Sequence, residues 1–201
     1  MFKNHFRRKT CRLCNSTSLE SVLKFCPTPP ANAFVDKANL DNIQEQYPLE
    51  VFFCNNCKHV QLLDVVDPSI LFKNYVYVSG TSPVFIKHFE EYANNLIDNF
   101  QPSFNEIIID IGSNDGTLLS FFKTKGFQVL GIDPAKAISA IANKKGIETI
   151  NNFFDLEIAK KIKKKYKKVS IITANNVFAH CNDLIGIING VKILLSENGV
   201  F

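Results

Sequence analysis

The sequence predicts an α/β fold in which a parallel sheet, with helices on both faces, follows a small domain held together by metal. Two observations predict it. Apolar strand patterns alternate with helical patterns from residue 105 onward, and two C-x-x-C pairs lie in a turn-rich first part. Strand–helix alternation with short connections is typical of parallel sheets covered on both faces. With 201 residues, 46% of them hydrophobic, the chain can bury the core that this fold needs.

The first part of the chain, residues 1–82, is predicted to be a separate N-terminal domain. The prolines of residues 26–30 (CPTPP) exclude regular helix there, because proline lacks an N–H and restricts the residue before it. Short strand-like runs, Leu49–Phe53 and Val60–Leu63, flank the second cysteine pair. A domain this small needs a disulfide or a bound metal ion to stabilise it in addition to its core.

The two C-x-x-C pairs predict a structural zinc site. Each pair forms a tight turn with two thiolates on one side, and two such turns close a tetrahedron with no open position for chemistry. Iron and a redox dithiol are the weaker alternatives. The predicted ligands are Cys11, Cys14, Cys54 and Cys57. Three nearby candidates are predicted not to be ligands: Cys26, His59 and Cys181.

An amphipathic helix is predicted between the two parts, from Val84 to Phe100. Its apolar residues recur at helical spacing and the pattern ends at Gln101-Pro102. We assign residues 83–104 to this linker helix.

The last part, residues 105–201, is predicted to be the parallel sheet domain. The predicted strands are Ile107–Ile111, Gln128–Asp133, Ile147–Ile150, Val169–Ala174 and a fifth that Phe201 interrupts. The predicted helices contain Leu118–Phe122, Ala137–Lys145, Ile158–Tyr166 and Leu184–Leu195. Nearly all-apolar strands such as Ile107–Ile111 are typical of strands buried on both faces.

A glycine-rich turn follows the first of these strands, at residues 112–116 (GSNDG). Such a turn brings backbone N–H groups close to a ligand at the carboxyl edge of the sheet. The second strand ends in Asp133, whose carboxylate can accept both hydroxyls of a ribose. Together the turn and Asp133 predict an adenosine-containing cofactor.

The spacing of the turn favours S-adenosylmethionine over NAD. A pyrophosphate site prefers G-x-G-x-x-G, whereas this turn has Gly112-x-x-x-Gly116 with Asp110 and Asp115 beside it. Two acids disfavour a pyrophosphate and suit a cationic ligand. The alternative is structural: Asp133-Pro134 also fits a helix N-cap followed by proline at the first position. Asn114 and Asp115 fit a cap as well.

The fourth strand runs into residues 174–180 (ANNVFAH), which face the same edge of the sheet. Asn176 and His180 can therefore reach a cofactor or substrate. A single histidine is more often a capping or packing residue, so His180 is a catalytic candidate with an equally simple structural alternative.

These features together resemble the sugar C-methyltransferases, bacterial enzymes that methylate a carbon of a nucleotide-linked keto-deoxysugar. The matching stretches, in chain order, are Cys11/Cys14, residues 29–33 (PPANA), residues 47–49 (YPL), Cys54/Cys57 with residues 60–62 (VQL), residues 71–82 (LFKNYVYVSGTS), residues 111–116 (IGSNDG) and residues 174–180. The resemblance covers nearly the whole chain. It implies a zinc-binding domain followed by a Rossmann-like methyltransferase sheet that binds S-adenosylmethionine.

The resemblance also implies roles for individual residues. Cofactor contacts are expected at Gly112, Ser113, Asn114 and Asp133, with Asn176 and Val177 near the adenosine half; their neighbours Asp110, Gly116 and Pro134 complete the predicted site. Tyr75, Tyr77 and His180 are expected to face the nucleotide-sugar substrate or the methionine end. The reaction needs a base to form an enolate, held within about 3–3.5 Å of the methyl group.

One departure from the family is the end of the sequence at Phe201, before the segment that supplies the base in family members. The expectation is that this chain alone binds the methyl donor weakly or not at all and turns over poorly, as a fragment, the product of a truncated reading frame, or one piece of a split enzyme with a separate C-terminal half or partner chain. The alternatives are an inactive binding or partner-docking fragment and, less favoured, an NAD-dependent oxidoreductase.

The composition excludes other classes of function. No apolar run approaches the roughly 18 residues of a membrane span. The net charge of +4 rests on seven lysines at positions 160–168, and only three arginines occur, so nothing resembles a nucleic-acid-reading face. The basic start has no apolar stretch of a secretory signal. We therefore expect a cytoplasmic protein with neither a membrane nor a nucleic-acid partner.

Overall fold

The computed structural model describes residues 4–201, which form two compact units. Unit 1 ends at Tyr75, and unit 2 comprises Val76–Phe201. The sequence-based division into residues 1–82, 83–104 and 105–201 stays a prediction, and its first three residues lie outside the described range. Within that range, no helix has the length and apolarity needed to cross a membrane.

Unit 1 contains two small antiparallel sheets and one short helix. Its strands are β1 His5–Arg7, β2 Leu19–Thr28, β3 Tyr47–Cys54, β4 Val60–Leu62 and β5 Asp64–Val66, followed by α1 Pro68–Phe72. The strands pair in the orders β2-β3-β4 and β1-β5. The strand runs around the second cysteine pair are confirmed as β3 and β4. Strand β2 was not predicted; it tolerates Pro27 because it lies at the edge of its sheet.

Unit 2 is a five-stranded parallel sheet with helices. Its strands are β6 Ile107–Ile111, β7 Gln128–Ile132, β8 Thr149–Ile150, β9 Val169–Thr173 and β10 Leu195–Val200. Its helices are α2 Pro83–Phe100, α3 Thr117–Thr124, α4 Lys136–Lys144, α5 Leu156–Lys165 and α6 Leu184–Leu194. The predicted α/β class is therefore confirmed. The third strand is shorter than predicted, and the fifth begins at Leu195 and pairs in parallel with β9.

The strand order of unit 2 is β10-β9-β6-β7-β8. The chain winds outward from β6 through β7 to β8, then returns to the other side of β6 as β9. The order of the strands thus reverses between β6 and β9. In open α/β sheets, ligands bind at the carboxyl ends of the strands at such a switch point.

Apolar layers cover both faces of this sheet. Ile107, Ile109 and Leu130 face the layer formed with α5 and α6. Ile108 faces the opposite layer, which contains Phe122 of α3. Helix α2, predicted as a linker, contributes buried Ala93 to that layer, so it is also part of the core of unit 2.

The start of α4 differs from the predicted cap. The helix begins at Lys136 with Ala135 at the N-cap, so Asp133 and Pro134 lie before the cap instead of at N-cap and first position. Pro134 lies in a bend before the helix, and Asp133 still accepts a hydrogen bond from the Ala135 N–H. The predicted Asn114 or Asp115 cap of α3 is also wrong, because Gly116 occupies that position.

Candidate functional site

The four predicted metal ligands form one cluster in unit 1. The sulfurs of Cys11, Cys14, Cys54 and Cys57 all lie within 4.8 Å of one another. The Sγ atoms are 3.6 Å apart for Cys11–Cys57 and 3.6 Å apart for Cys14–Cys54. A tetrahedral ion with bonds of about 2.3 Å to sulfur places its ligands about 3.8 Å apart. The cluster therefore fits a four-sulfur metal site.

Two amides donate hydrogen bonds to these sulfurs. Buried Gln61 donates from Nε2 to Cys11 Sγ at 3.1 Å, and Asn56 donates from Nδ2 to Cys14 Sγ at 3.5 Å. Such groups orient metal ligands and stabilise thiolates. Neither amide was predicted from the sequence, although Asn56 lies inside the second C-x-x-C turn, where an amide is a recognisable signal.

The hydrogen bonds make the thiols unequal in acidity. Burial on its own raises the pKa of Cys11, but hydrogen bonds from the Cys14 backbone, Gln61 and others outweigh it and lower the pKa to about 6. At Cys57 a backbone hydrogen bond at His59 lowers the pKa, whereas burial and the neighbouring thiols raise it to about 12. The hydrogen bond from Asn56 also lowers the pKa of Cys14. The cluster thus favours thiolate at Cys11 and Cys14 and opposes a further negative charge at Cys57.

The glycine turn of unit 2 sits at the switch point between β6 and β9. Gly112 has φ +72°, and a Cβ at this position would lie 2.2 Å from Val177 Cγ2. Any larger residue would be strained and would also displace Val177, which follows β9. The turn is fixed to the neighbouring strand because the N–H groups of Gly112 and Ser113 both donate to the Ile132 carbonyl, at 2.7 and 3.2 Å.

Asp133 holds this turn in place from the end of β7. Its Oδ2 accepts from the Asn114 N–H at 2.9 Å, and its Oδ1 accepts from the Ala135 N–H at 2.8 Å. Burial raises the pKa of Asp133, and the two hydrogen bonds oppose that rise. A carboxylate has about four acceptor sites, so two remain for a ligand. Ribose binding by Asp133 stays a prediction.

Asp110 lies at the end of β6, opposite Thr173 of β9. Its Oδ1 accepts a hydrogen bond from Thr173 Oγ1 at 2.6 Å, which joins the two strands at the switch point. Burial raises the pKa of Asp110 to about 7, with a further contribution from the negative charge of Asp133. Near neutral pH the protonated, neutral form of this carboxyl group is therefore much more populated than it is for an exposed aspartate.

Asp115 does not offer its charge to a ligand. Its side chain is fully buried, 2.6 Å from Lys145 Nζ, and it also accepts from Thr117 Oγ1 at 2.7 Å. Burial raises its pKa, but Lys145 and Thr117 outweigh burial and lower it. The sequence argument that two acids beside the turn select a cation is wrong for Asp115, because Lys145 already neutralises it.

Asn114 joins the turn to the segment that precedes α2. Its Nδ2 donates to the Tyr77 carbonyl at 2.9 Å, and its Oδ1 accepts from the Ser79 N–H at 2.9 Å. The Tyr77 ring lies edge-on to Phe85, with 6.4 Å between ring centroids. Unit 2 thus places the Tyr77 backbone next to the predicted cofactor turn, whereas the family resemblance implied only that a tyrosine of this segment faces the substrate or the methionine end.

Three other predicted cofactor residues, Ser113, Gly116 and Pro134, differ in their burial and contacts. Ser113 is 4% exposed, and its Oγ has no hydrogen-bond partner among the described residues. A Cβ on Gly116, φ +77°, would lie 3.0 Å from Ile147, so packing explains this glycine. Pro134 is half-buried next to Asp133. Their contacts with a cofactor stay predictions.

The loop after β9 carries the remaining candidates of unit 2. Asn176 is exposed in a left-handed conformation, φ +55°, and Val177 packs over Gly112. His180 is exposed and ends a short 3-10 turn, where its N–H donates to the Val177 carbonyl. Tyr75 ends unit 1, where its ring lies 6.2 Å from that of Phe72. The described contacts therefore link Val177 directly to the glycine turn, and the roles of Asn176, His180 and Tyr75 stay predictions.

These residues form an arrangement suited to a nucleoside. The carboxyl edge of the sheet presents the backbone of Gly112, two acceptor sites on Asp133 and the apolar side chain of Val177. A carboxylate accepts hydrogen bonds from a diol, and an aliphatic group packs against a flat base. Val177 takes the space that a Cβ of Gly112 would occupy.

The sequence matches two family models and one curated protein. Residues 11–72 match a family described as "Putative zinc binding domain", and residues 85–201 match a family described as "Methyltransferase domain". The chain is 29% identical to the C-methyltransferase NovU of Streptomyces niveus over 191 residues, which is 95% of this chain and 46% of NovU. It therefore spans about half the length of that curated relative.

Solved methyltransferase structures are similar to part of the chain. The plantazolicin methyltransferase BpumL, in complex with a pentazolic desmethylPZN analog and SAH, is 19% identical with a TM-score of 0.46, covering 58% of this chain and 45% of BpumL. Magnesium protoporphyrin IX methyltransferase (ChlM) from Synechocystis PCC 6803, with bound SAM, is 15% identical with a TM-score of 0.43, covering 55% of this chain and 54% of ChlM.

The methyltransferase-domain match covers more than half of the chain and includes the whole sheet of unit 2, with the glycine turn at its switch point. The chain belongs to this family of methyltransferase domains.

Proposed function

We propose that unit 2 binds S-adenosylmethionine at the carboxyl edge of its sheet and serves a methyl transfer to carbon. The observation that carries the proposal is the Gly112 turn, which lies at the switch point, packs against Val177 and is tied by Asn114 to the acid at the end of β7. Membership of the methyltransferase-domain family supports it. When bound, the cofactor supplies an electrophilic methyl group.

The residues of this chain have separate roles in the proposal. The Gly112 backbone would lie along the cofactor, and the free acceptor sites of Asp133 would receive the ribose hydroxyls. Val177 would pack against the adenine. Asp115 has no direct role, because Lys145 pairs with it.

We further propose that the acceptor is a carbon next to a keto group in a nucleotide-linked deoxysugar. The likeness to NovU, a C-methyltransferase, supports transfer to carbon, and the sugar class rests on the family resemblance. Such a carbon becomes nucleophilic only when a base removes its proton. Tyr75, Tyr77 and His180 are the candidates of this chain for contacting the sugar or for holding that proton.

The metal of unit 1 is proposed to be zinc, in a structural role. Four sulfurs leave no open coordination position, so the ion would hold the chain turns together and take no part in the reaction. Cysteines of this kind must stay reduced, which supports the cytoplasm as the proposed compartment.

Binding, rather than turnover, is the direct test, because the chain covers less than half of NovU. Isothermal titration calorimetry of the zinc-loaded chain with S-adenosylhomocysteine should give micromolar affinity. Gly112→Ala should weaken that affinity about tenfold or more, since the left-handed backbone alone costs an alanine about 1–2 kcal/mol and its methyl group also displaces Val177.

Gly126→Ala is the matched control. Gly126 also has a left-handed backbone, φ +92°, but a Cβ there would meet only Phe104 at 3.6 Å. It follows the C-terminal end of α3, whereas the turn precedes the N-terminal end. This variant should bind S-adenosylhomocysteine like the wild type. Absence of binding to the wild type would contradict the proposal, and binding of NADH in its place would favour an oxidoreductase.

A further inference from the structure

We infer that Asn114 is a positioning residue whose carboxamide fastens the Tyr77–Ser79 backbone to the cofactor turn. The inference rests on the proposed function and refines it. The contact of Asn114 with the cofactor stays a prediction, and the structure shows its carboxamide hydrogen-bonded within the protein.

The hydrogen bonds of the carboxamide have the pattern of a strand pairing. Nδ2 donates to the Tyr77 carbonyl and Oδ1 accepts from the Ser79 N–H, both at 2.9 Å. These two backbone groups flank Val78, so a single amide pairs with an extended segment as a neighbouring strand would. Oδ1 also accepts from the Asp115 N–H at 3.0 Å. The side chain therefore has three protein partners.

The backbone of the same residue contacts the predicted ribose-binding acid. The Asn114 N–H donates to Asp133 Oδ2 at 2.9 Å. One residue thus connects the acid at the end of β7, the glycine turn and the segment carrying Tyr77. A shift of the turn on cofactor binding would pass directly to the Tyr77 backbone.

The packing next to this connection is tight. A Cβ on Gly80 would lie 2.6 Å from Asp115 Oδ2 and 2.8 Å from Thr117 Oγ1. Both oxygens are held in place, because Thr117 Oγ1 donates a hydrogen bond to Asp115 Oδ1 and Lys145 Nζ forms an ion pair with Asp115 Oδ2. The segment after Tyr77 therefore lies directly against the start of α3, and Asn114 holds its near end.

Few residue types can supply both the backbone conformation and the side-chain hydrogen bonds found at position 114. Asn114 has φ +51°, a left-handed conformation that asparagine adopts more readily than most residues. An aspartate would accept from Ser79 but could not donate to the Tyr77 carbonyl. Asparagine supplies both the conformation and the paired donor and acceptor.

Amide hydrogen exchange tests the connection without any ligand. Asn114→Gly keeps the left-handed backbone and removes the carboxamide, so the Ser79 amide should exchange about tenfold faster while the β6 amides keep their protection. Asn114→Asp should keep much of the Ser79 protection. Gln101→Gly, at another left-handed position of unit 2 (φ +43°), is the matched control and should leave Ser79 unchanged.

Fluorine NMR tests the link to the cofactor. The chain has five tyrosines and no tryptophan, so 3-fluorotyrosine labelling gives few resonances, and Tyr77→Phe assigns the one of interest. S-adenosylhomocysteine should shift the Tyr77 resonance in the wild type, but not in Asn114→Gly under saturating ligand.

The outcomes separate the two proposals. No binding to the wild type overturns the proposed function, and the exchange experiment then decides the role of Asn114 by itself. Unchanged Ser79 exchange in Asn114→Gly, or a Tyr77 resonance that still responds to bound ligand in that variant, overturns the positioning role.

Discussion

Unit 1 and unit 2 bury very different amounts of apolar surface. In unit 2 every residue of β6 is buried, and Leu119 and Phe122 of α3 are inaccessible to solvent. In unit 1 the long strand β2 is largely exposed, with Leu23 and Phe25 each 50% exposed. Among the described residues of unit 1, Cys11 and Cys54 of the sulfur cluster have no solvent exposure, and the other buried hydrophobic residues are Tyr47, Leu63 and Val65.

The two units are therefore stabilised in different ways. Unit 2 is held by apolar layers on both faces of a parallel sheet, which also fix the strand ends that carry Asp110, Gly112 and Asp133. Unit 1 has little apolar burial, so its folding free energy must come largely from metal–sulfur bonds. We therefore expect the proposed nucleoside site of unit 2 to survive a loss of metal that unfolds unit 1.

Removing one ligand should produce the largest effect. Cys54→Ser should abolish zinc binding and unfold unit 1, because structural zinc contributes about 10–16 kcal/mol that the small core cannot replace. Zinc analysis and two-dimensional amide NMR of the chain measure both effects: β2–β5 signals should collapse while β6–β9 signals stay dispersed. The control is Cys26→Ser, an exposed cysteine outside the cluster. A folded unit 1 without zinc would refute the comparison.

The next prediction concerns a substitution in the apolar core of unit 2, where the preceding one changed a metal ligand of unit 1. Phe122→Ala should destabilise unit 2 by about 3–5 kcal/mol, because it empties a fully buried site between α2, α3 and the sheet. Urea unfolding monitored by NMR measures this loss, and the zinc content should stay the same. Its neighbour Phe121 is only partly buried, so Phe121→Ala should cost less. Loss of zinc in Phe122→Ala would show that the two units do not fold separately.

A smaller, pH-dependent effect is expected at Asp110. Its pKa in the folded chain is raised to about 7, so the folded state binds a proton that the unfolded state releases. This favourable contribution is complete below the unfolded pKa near 4 and is lost as the pH rises through 7. Asp110→Asn removes the dependence and can still hydrogen-bond Thr173. At about pH 8 the variant should be more stable than the wild type by up to about 4 kcal/mol.

Urea unfolding at several pH values between about 5 and 8 measures that difference, which should shrink toward the acidic end. Asp98→Asn changes an exposed acid of α2 and should show no such trend. If Asp110→Asn is less stable than the wild type at every pH, the carboxylate is needed in its charged form and the expected sign is wrong.

Local signals in the sequence predicted much of the fold. Strand β6 has the predicted bounds, and α2 and α6 differ from their predicted ranges by one residue at an end, because apolar runs and helical periodicity are visible within a single segment. The four cysteines cluster as their paired spacing predicted. Strand β2 escaped prediction because an exposed edge strand has no buried face and so no clear alternation.

The contacts within the candidate site were less predictable. Asn114 and Tyr77 are 37 positions apart, and Asp115 and Lys145 are 30 positions apart. No periodicity or motif joins such residues; their proximity exists only once the sheet has formed. For the same reason, the two carboxylates beside the turn looked alike in the sequence and differ in the structure.

The sequence by itself determined the alternation of strands and helices, the glycine turn and the four sulfur ligands, because each depends on residue types at short, fixed spacings. Only the tertiary structure decided which polar groups remain available for a ligand. Lys145 forms an ion pair with Asp115, and the Thr173 hydroxyl donates a hydrogen bond to Asp110. The Asn114 carboxamide donates to the Tyr77 carbonyl. These partners come from distant segments, and burial makes an unpartnered polar group costly enough that they must pair.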